Sequence, residues 1–156
     1  SSGGLTVLKK RLKKFDYLKN AHLKPLPKIK ESQIFSKMGI KCCIDISDGL
    51  LVDATRISEA SNVSIIIDLD KIPVSKELKT AFPDTWKEHV LNGGEDFQLL
   101  ISGKKELIKK IKDETKLNLT IIGNVEKKSS NFLTILENNI PNYKFLSKGW
   151  DHFNDK

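Results

Sequence analysis

The stretch CCIDISDGLLVDATRISEASNVSIII, residues 42–67, decides the predicted fold class. Residues 42–46 form a short apolar run that is typical of a buried strand, and residues 63–67 form a second, β-branched one. Between them, apolar side chains recur at helical spacing, at Leu50, Leu51, Ala54 and Ile57. A strand, a helix and a strand in this order predict a βαβ unit with two parallel, paired strands.

The chain upstream of this unit is predicted to be helical. Apolar residues at three- and four-residue steps, interleaved with lysines, indicate one amphipathic helix, with its stripe at Leu5, Leu8, Leu12, Phe15 and Leu18. Pro25 and Pro27 interrupt the pattern and predict an extended linker. A short helix over 31–38, closed by Gly39, completes this part.

Downstream of the unit, helices alternate with strands. The pattern predicts helices over 75–80, 84–91 and 104–115, with a loop over 92–94. Strands are predicted over 97–102, 119–125 and 132–136, and the last two are predicted to form a hairpin over 127–131. An α/β chain of 156 residues is long enough for one domain with its own core.

Charge is unevenly distributed along the chain. The formal net charge is +7, but residues 1–41 hold 11 lysines and arginines against Asp16 and Glu31, whereas residues 42–156 carry a net charge of −2. A basic segment can bind nucleic acid or an anionic membrane, or can be the solvated face of a helix. The solvated face is favoured, since aromatic residues for base stacking are scarce in this segment.

Other classes of protein are disfavoured by what the sequence lacks. No apolar run approaches the ~18 residues of a membrane span, and the first residues do not have the pattern of a secretory signal. The two cysteines, Cys42 and Cys43, are neighbours, without the spacing of a zinc site or of a disulfide framework. We interpret them as small core residues in a reducing cytoplasm.

The first candidate site is Ile44-Asp45-Ile46-Ser47-Asp48-Gly49-Leu50. Asp45 lies in an apolar strand at its carboxyl end, where open α/β sheets bind ligands, and a helix follows at once. Free N–H groups at a helix start suit a phosphate, and two carboxylates suit Mg²⁺. The plainer alternative is an ordinary N-cap at Ser47 or Asp48, which leaves Asp45 unexplained.

Two further segments are weaker candidates on their own. Asn92-Gly93-Gly94-Glu95-Asp96-Phe97 predicts a tight loop that could present a carboxylate to a metal or a cationic substrate, but on the residues alone a hairpin-like turn with exposed charges is the favoured interpretation. Trp150-Asp151-His152-Phe153 offers an aromatic ring for stacking on a heterocycle, but an aromatic residue near a chain end more often covers a core.

In this order, the three segments resemble the C-terminal half of thiamine-monophosphate kinases, which belong with the aminoimidazole ribonucleotide synthetase-like enzymes. Ile121-Ile122-Gly123-Asn124-Val125 resembles the I-G-x-V segment of that family. The linker His22-Leu23-Lys24-Pro25-Leu26-Pro27 also has a counterpart there. The resemblance covers nearly the whole chain, and it implies an α+β fold with a mixed sheet and helices packed on it.

The resemblance also implies a role for each matching residue. Asp45 and Asp48 match positions that bind Mg²⁺, and Ser47 matches a position that contacts ATP. Glu95 and Trp150 match positions that bind thiamine monophosphate. Transfer of the γ-phosphoryl group of ATP onto the substrate phosphate gives thiamine diphosphate. No side-chain nucleophile is expected, because a phosphate oxygen attacks; the task is to bring two polyanions together.

The expected organisation is a single C-terminal domain over 1–156, with a basic lead-in over 1–41 and an α/β core over 42–156. The family has an N-terminal domain that supplies further metal-binding aspartates and the interface of a homodimer, and we expect it to be absent here. The chain should therefore hold part of an active site and be inactive alone. The alternatives are a related ATP-dependent enzyme with another substrate, or a non-catalytic basic domain that binds nucleic acid.

Overall fold

The computed structural model describes residues 1–142 and 144–145. These residues contain seven α-helices: α1 (Ser2–Lys9), α2 (Asp16–Leu23), α3 (Ile29–Lys37), α4 (Leu50–Ser61), α5 (Lys76–Ala81), α6 (Trp86–Asn92) and α7 (Lys105–Thr115). They contain six strands: β1 (Cys42–Asp45), β2 (Val63–Asp68), β3 (Leu99–Ser102), β4 (Gly123–Lys127), β5 (Leu133–Glu137) and β6 (Ile140–Pro141). A 3₁₀ helix, Leu69–Lys71, follows β2.

The strands form two sheets. The larger has the order β4-β2-β5-β6, with β2 antiparallel to β4 and parallel to β5. In this register, Ile65 lies opposite both Val125 and Leu133. The smaller sheet pairs β1 with β3 in antiparallel fashion, with Asp45 opposite Leu99. A mixed sheet with helices packed on it confirms the predicted α+β class.

The predicted parallel pair within residues 42–67 is wrong, although each of its three elements is present. β1 and β2 lie in different sheets. β1 alternates between half-buried and exposed positions, so it is not the buried strand that the apolar run predicted. Cys43 is exposed and Cys42 only half-buried, which also corrects the interpretation of the cysteines as core residues. A strand with one exposed face suits the margin of the domain better than the centre of its main sheet.

The predicted hairpin between the last two strands is also wrong, because β2 lies between β4 and β5. The connection between these strands crosses the end of β2 and is held there by the buried Ser64. Its hydroxyl donates to the carbonyl oxygen of Asn131 at 2.6 Å and accepts from the backbone N–H of Ser129 at 2.8 Å. The Ser64 hydroxyl therefore holds the connection from β4 to β5 in place, where the sequence analysis predicted a hairpin.

The single N-terminal helix predicted from the leucine spacing is two helices. α1 ends at Lys9 and α2 begins at Asp16, and both Arg11 and Phe15 adopt left-handed backbone conformations, with φ of 52° and 71°. The apolar spacing still marks residues that share one cluster, which has Val7, Leu18 and Phe82 at its centre. Leu12, Phe15 and Leu18 of the stripe belong to it, but Leu5 is exposed and the fully buried Val7 was not in the stripe. The stripe therefore predicted burial only in part, and it predicted one continuous helix wrongly.

The other predicted helices are confirmed within a few residues. α3 is followed by Gly39, whose φ of 94° favours glycine, as the sequence indicated. Ser75 caps α5 by accepting the N–H of Leu78 at 3.1 Å.

The main core fixes α4 on the larger sheet. Leu50, Leu51 and Ala54 of α4 pack in one cluster with Ile67 of β2 and Ile135 of β5, and all five are at most 5 % exposed. Replacing one such leucine by alanine costs about 2–5 kcal/mol. The start of α4, and with it the loop over 46–49, is therefore held in a defined place.

Candidate functional site

The two motif loops that the sequence singled out lie side by side. The Glu95 N–H donates to the Ser47 carbonyl oxygen at 2.8 Å, and the Phe97 N–H donates to the Ile46 carbonyl oxygen at 2.9 Å. The Ile46 N–H in turn donates to the carbonyl oxygen of Gln98 at 2.8 Å. These bonds continue the antiparallel pairing of β1 and β3 past the strand ends, so residues far apart in sequence form one surface.

Two glycines allow this close approach. A Cβ atom on Gly94 would lie 2.4 Å from the carbonyl oxygen of Ser47, a distance that backbone atoms do not tolerate. Gly49 has a φ of 124°, and a Cβ atom there would lie 3.0 Å from the Asn92 carbonyl oxygen. The glycines in both motifs are thus required by how the loops pack against each other and, at Gly49, by the left-handed backbone.

The structure brings together four of the five predicted site residues. Asp45 is exposed at the end of β1, and Ser47 and Asp48 are half-buried in the bend that leads to α4. Glu95 is exposed on the neighbouring loop. Trp150, the fifth, lies outside the described residues.

The loop that carries Glu95 is strained. Glu95 and Phe97 both have positive φ, at 65° and 49°. Side chains in the left-handed region cost of order 1–3 kcal/mol each, and such strain tends to cluster at functional sites. The backbone bonds to residues 46 and 47 hold this conformation in place.

The first of two residues that the sequence analysis missed is Asp53, which is fully buried in the first turn of α4. Its Oδ2 accepts three successive backbone N–H groups, from Ser47 at 3.0 Å, Asp48 at 3.1 Å and Gly49 at 3.2 Å. One carboxylate oxygen thus sets the shape of the whole bend that carries the predicted ATP- and metal-binding residues.

The second missed residue is Arg56, which lies one turn further along α4. Its Nη1 donates to Asp53 Oδ1 at 2.8 Å and lies 2.6 Å from Asp48 Oδ2. The hydrogen bond to Asp48 is the main reason that the pKa of Arg56 lies above its usual range. The buried carboxylate is therefore connected through one guanidinium to the predicted metal ligand.

The sequence contained a signal for Asp53. It lies three residues after Leu50 and four before Ile57, which places an acidic side chain within the apolar stripe of the helix. A carboxylate in such a position must find charged or N–H partners inside the protein.

These contacts correct two expectations about the loop. Gly49 is the N-cap of α4 and no side chain caps it, so Ser47 does not have that role. The N–H groups of Ser47, Asp48 and Gly49 are bound to Asp53, so these three are not available to a phosphate. Phosphate recognition on this loop would have to use side chains, a bound cation or N–H groups further into α4.

The donor set fits Mg²⁺ in part. Among the described residues, no group of three or more His, Cys, Asp or Glu side chains is placed to hold a metal ion. Asp45 and Asp48 supply two carboxylates, and Mg²⁺ is commonly bound by one or two carboxylates together with phosphates and water. These two carboxylates could therefore supply some of the ligands of a Mg²⁺ ion, but they do not form a complete binding site.

A large apolar cleft lies beside the site and does not coincide with it. Its volume is about 1340 Å³, and residues of both sheets line it, with Ile46, Leu50, Ile67, Leu100 and Ile122 in its walls. Asp45, Asp48 and Glu95 do not line it. Apolar walls do not suit a polyanion, so the polar surface of the two loops is the better candidate for phosphate chemistry.

No helix within residues 1–142 is long and apolar enough to cross a membrane.

Comparison with known proteins gives a consistent match. Residues 3–135 match the family described as AIR synthase related protein, C-terminal domain. The chain is 34% identical over 162 aligned residues to a thiamine-monophosphate kinase of Buchnera aphidicola, covering 98% of this chain and 49% of the relative.

Solved structures agree with this match. A structure described as "AaThiL complexed with AMPPCP and TMP" superposes with a TM-score of 0.78 at 31% identity, over 98% of this chain and 48% of that one. The structure of thiamine monophosphate kinase from Aquifex aeolicus superposes with a TM-score of 0.73 at 31% identity, over 87% and 47% of the two chains. The chain therefore spans about half the length of the relatives that it matches.

Proposed function

Because the chain belongs to the family of AIR synthase related proteins, in which it matches the C-terminal domain, we propose that it forms part of the active site of a thiamine-monophosphate kinase. The reaction transfers the γ-phosphoryl group of ATP to the phosphate of thiamine monophosphate. The observation that carries this proposal is the hydrogen-bonded pair of loops, 45–49 and 94–98, which joins the predicted metal-binding and substrate-binding residues. The similar structure that contains AMPPCP and TMP supports the choice of both substrates.

In this proposal, each loop has a separate task. Ser47 contacts ATP through its side chain, because Asp53 occupies its backbone N–H. Glu95 places a carboxylate beside the cationic thiamine, and its exposed position at the edge of the loop leaves it accessible. Trp150 is proposed to stack on a ring of the substrate. The main contribution of the site to phosphoryl transfer is to hold the two phosphates in line, since the attacking oxygen is already anionic and needs no general base.

Asp45 and Asp48 are the residues that would hold Mg²⁺. When bound, the ion supplies positive charge that lowers the repulsion between the two phosphate groups. The chain's own part is to present two carboxylates from one bend that Asp53 holds in shape.

We further propose that the site is completed by a domain that corresponds to the other half of the relatives. Support comes from the share of the relatives that this chain covers, 49%, and from the two carboxylates being too few for a polyanion site with several cations. The whole enzyme is proposed to act as a cytoplasmic homodimer, and the 156-residue domain alone to be inactive.

Ligand binding and turnover test the two parts of the proposal separately. We expect thiamine monophosphate to shift backbone NMR signals of residues 93–98 in the 156-residue chain, and Glu95→Gln to weaken this binding. A folded chain to which thiamine monophosphate does not bind, but AMPPCP with Mg²⁺ does, would favour a related enzyme with another substrate. Thiamine diphosphate formation by the chain alone, abolished in Asp48→Asn, would contradict the proposal that this chain holds only part of the active site.

A non-catalytic nucleic-acid-binding domain is tested by its salt dependence. Binding through the basic residues 1–41 should weaken steeply with salt and should not respond to Asp45 or Glu95 substitutions.

A further inference from the structure

Arg56 makes two ion pairs that differ in their surroundings. Its partner Asp53 has a fully buried side chain, whereas the side chain of Asp48 is 22 % exposed and that of Arg56 is 53 % exposed. Both contacts use the same nitrogen, Nη1, at 2.8 Å from Asp53 and 2.6 Å from Asp48. One guanidinium therefore serves as the counter-ion of two carboxylates, one fully buried and one partly exposed.

The two contacts should not be equally easy to break. Removing the partner of a buried carboxylate leaves an uncompensated charge, which is strongly unfavourable. An ion pair at the surface contributes little, because water solvates both groups when they separate. Arg56 can therefore leave Asp48 while it remains bound to Asp53, and the three backbone N–H groups on Asp53 keep that carboxylate in place.

We propose that Arg56 is the resident counter-ion of Asp48, and that a divalent cation must displace it to bind there. Arg56 is then a positioning residue that lowers the affinity of the site for the cation. It holds the Asp48 carboxylate in one orientation until the cation arrives. The inference depends on the proposed function only in taking Asp48 as a metal ligand.

Mn²⁺ binding to the 156-residue chain, followed by the loss of the free-ion signal in electron paramagnetic resonance, tests the proposal. Arg56→Gln should bind Mn²⁺ about two- to fivefold more tightly than the wild type, because the cation no longer has to break a partly exposed ion pair. Lys71→Gln is the matched control. It removes the same charge from an i,i+3 pair with Asp68, and Lys71 has a similarly exposed side chain, at 62 %. Its Mn²⁺ affinity should equal that of the wild type.

A double-mutant cycle shows whether the effect acts through Asp48. In the Asp48→Asn background, Arg56→Gln should no longer tighten Mn²⁺ binding. Equal or weaker binding by Arg56→Gln in the wild-type background would overturn the proposal, because Arg56 would then not compete with the cation. Wild-type binding that Asp48→Asn does not reduce would also overturn it.

A second measurement does not depend on any variant folding. In the wild type, the ¹⁵N–¹H signal of the Arg56 side chain should change as diamagnetic Mg²⁺ is added. An unchanged signal while Mg²⁺ shifts the backbone signal of Asp48 would refute displacement. Neither experiment contains ATP or thiamine monophosphate. If the chain fails to bind thiamine monophosphate but the Mn²⁺ results hold, the proposed function fails and this inference stands.

Discussion

Asp53→Ala should be the most damaging substitution in the candidate site, although Asp53 is not itself predicted to contact ATP, Mg²⁺ or thiamine monophosphate. The change removes the acceptor of three backbone N–H groups. Gly49 is buried, so its N–H would be left without a partner at a cost of about 1–3 kcal/mol. The N–H groups of Ser47 and Asp48 are half-buried and regain water in part, which adds about 0.5–1.5 kcal/mol each.

Loss of the Arg56 contact adds little to this sum, because the group that remains is the half-exposed guanidinium, which water solvates, and not the buried carboxylate. The expected loss is therefore about 2–6 kcal/mol. For a domain of this size, each kcal/mol lowers Tm by roughly 2–4 °C, so Tm should fall by roughly 4–24 °C.

Urea denaturation followed by circular dichroism measures the free energy of unfolding directly. Asp53→Asn should lose less than Asp53→Ala, because it keeps an acceptor oxygen of the same shape. Asp113→Ala, an exposed acidic residue on a helix, is the control and should change stability by less than about 0.5 kcal/mol. A loss below about 1 kcal/mol in Asp53→Ala would show that the three bonds do not hold the bend.

Three further predictions concern other parts of the structure. Gly94→Ala should separate the two loops, since its Cβ would meet the Ser47 carbonyl oxygen at 2.4 Å; faster hydrogen exchange at the Glu95 amide would show this, and unchanged exchange would contradict it. Ser64→Ala should cost about 1–3 kcal/mol, read from urea denaturation, by removing the two hydrogen bonds that hold the largely exposed connection over 128–132; a neutral result would mean that water replaces the hydroxyl. Lys87 and Asn142 hold the pKa of Glu137 below its ordinary 4.5, so its contribution to stability is present above about pH 4.5 and is lost as the pH falls through the lower folded value. Glu137→Gln should therefore reduce the loss of stability as the pH falls below about 4.5, and an unchanged pH profile would refute the assignment.

The sequence predicted local structure better than it predicted pairing. Periodicity located α4 and β2 within a residue or two, because burial of one stripe depends only on neighbouring positions. It placed β1 beside β2 wrongly, because which strands pair depends on residues far along the chain, such as those of β3 and β5. The break between α1 and α2 was missed for another reason: Arg11 and Phe15 adopt left-handed backbone conformations, and neither position is a glycine that would have indicated this.

The candidate site was predicted in part. Asp45, Ser47, Asp48 and Glu95 were found from residue type and from a family resemblance, and the structure places their loops together. Arg56 was missed, since its importance lies in contacts across the bend that no spacing rule anticipates. Asp53 was missed although its place in the apolar stripe of α4 was a signal, because that signal does not say which N–H groups it binds. The missed residues support the loop, whereas Asp45 and Glu95, two of the predicted ones, are exposed on its surface.

The position of β2 between two strands that come much later in the chain affects how the protein is made. Ile67 of β2 is synthesised 68 residues before Ile135, its partner on β5. At about 5–20 residues per second on the ribosome, roughly 3–14 s pass between the synthesis of β2 and that of β5. During this interval the edges of β2 are open to other chains, which makes a nascent or truncated form that ends before β5 the species most exposed to aggregation. Slow, late closure of the sheet is thus the kinetic consequence of placing the central strand early in the sequence.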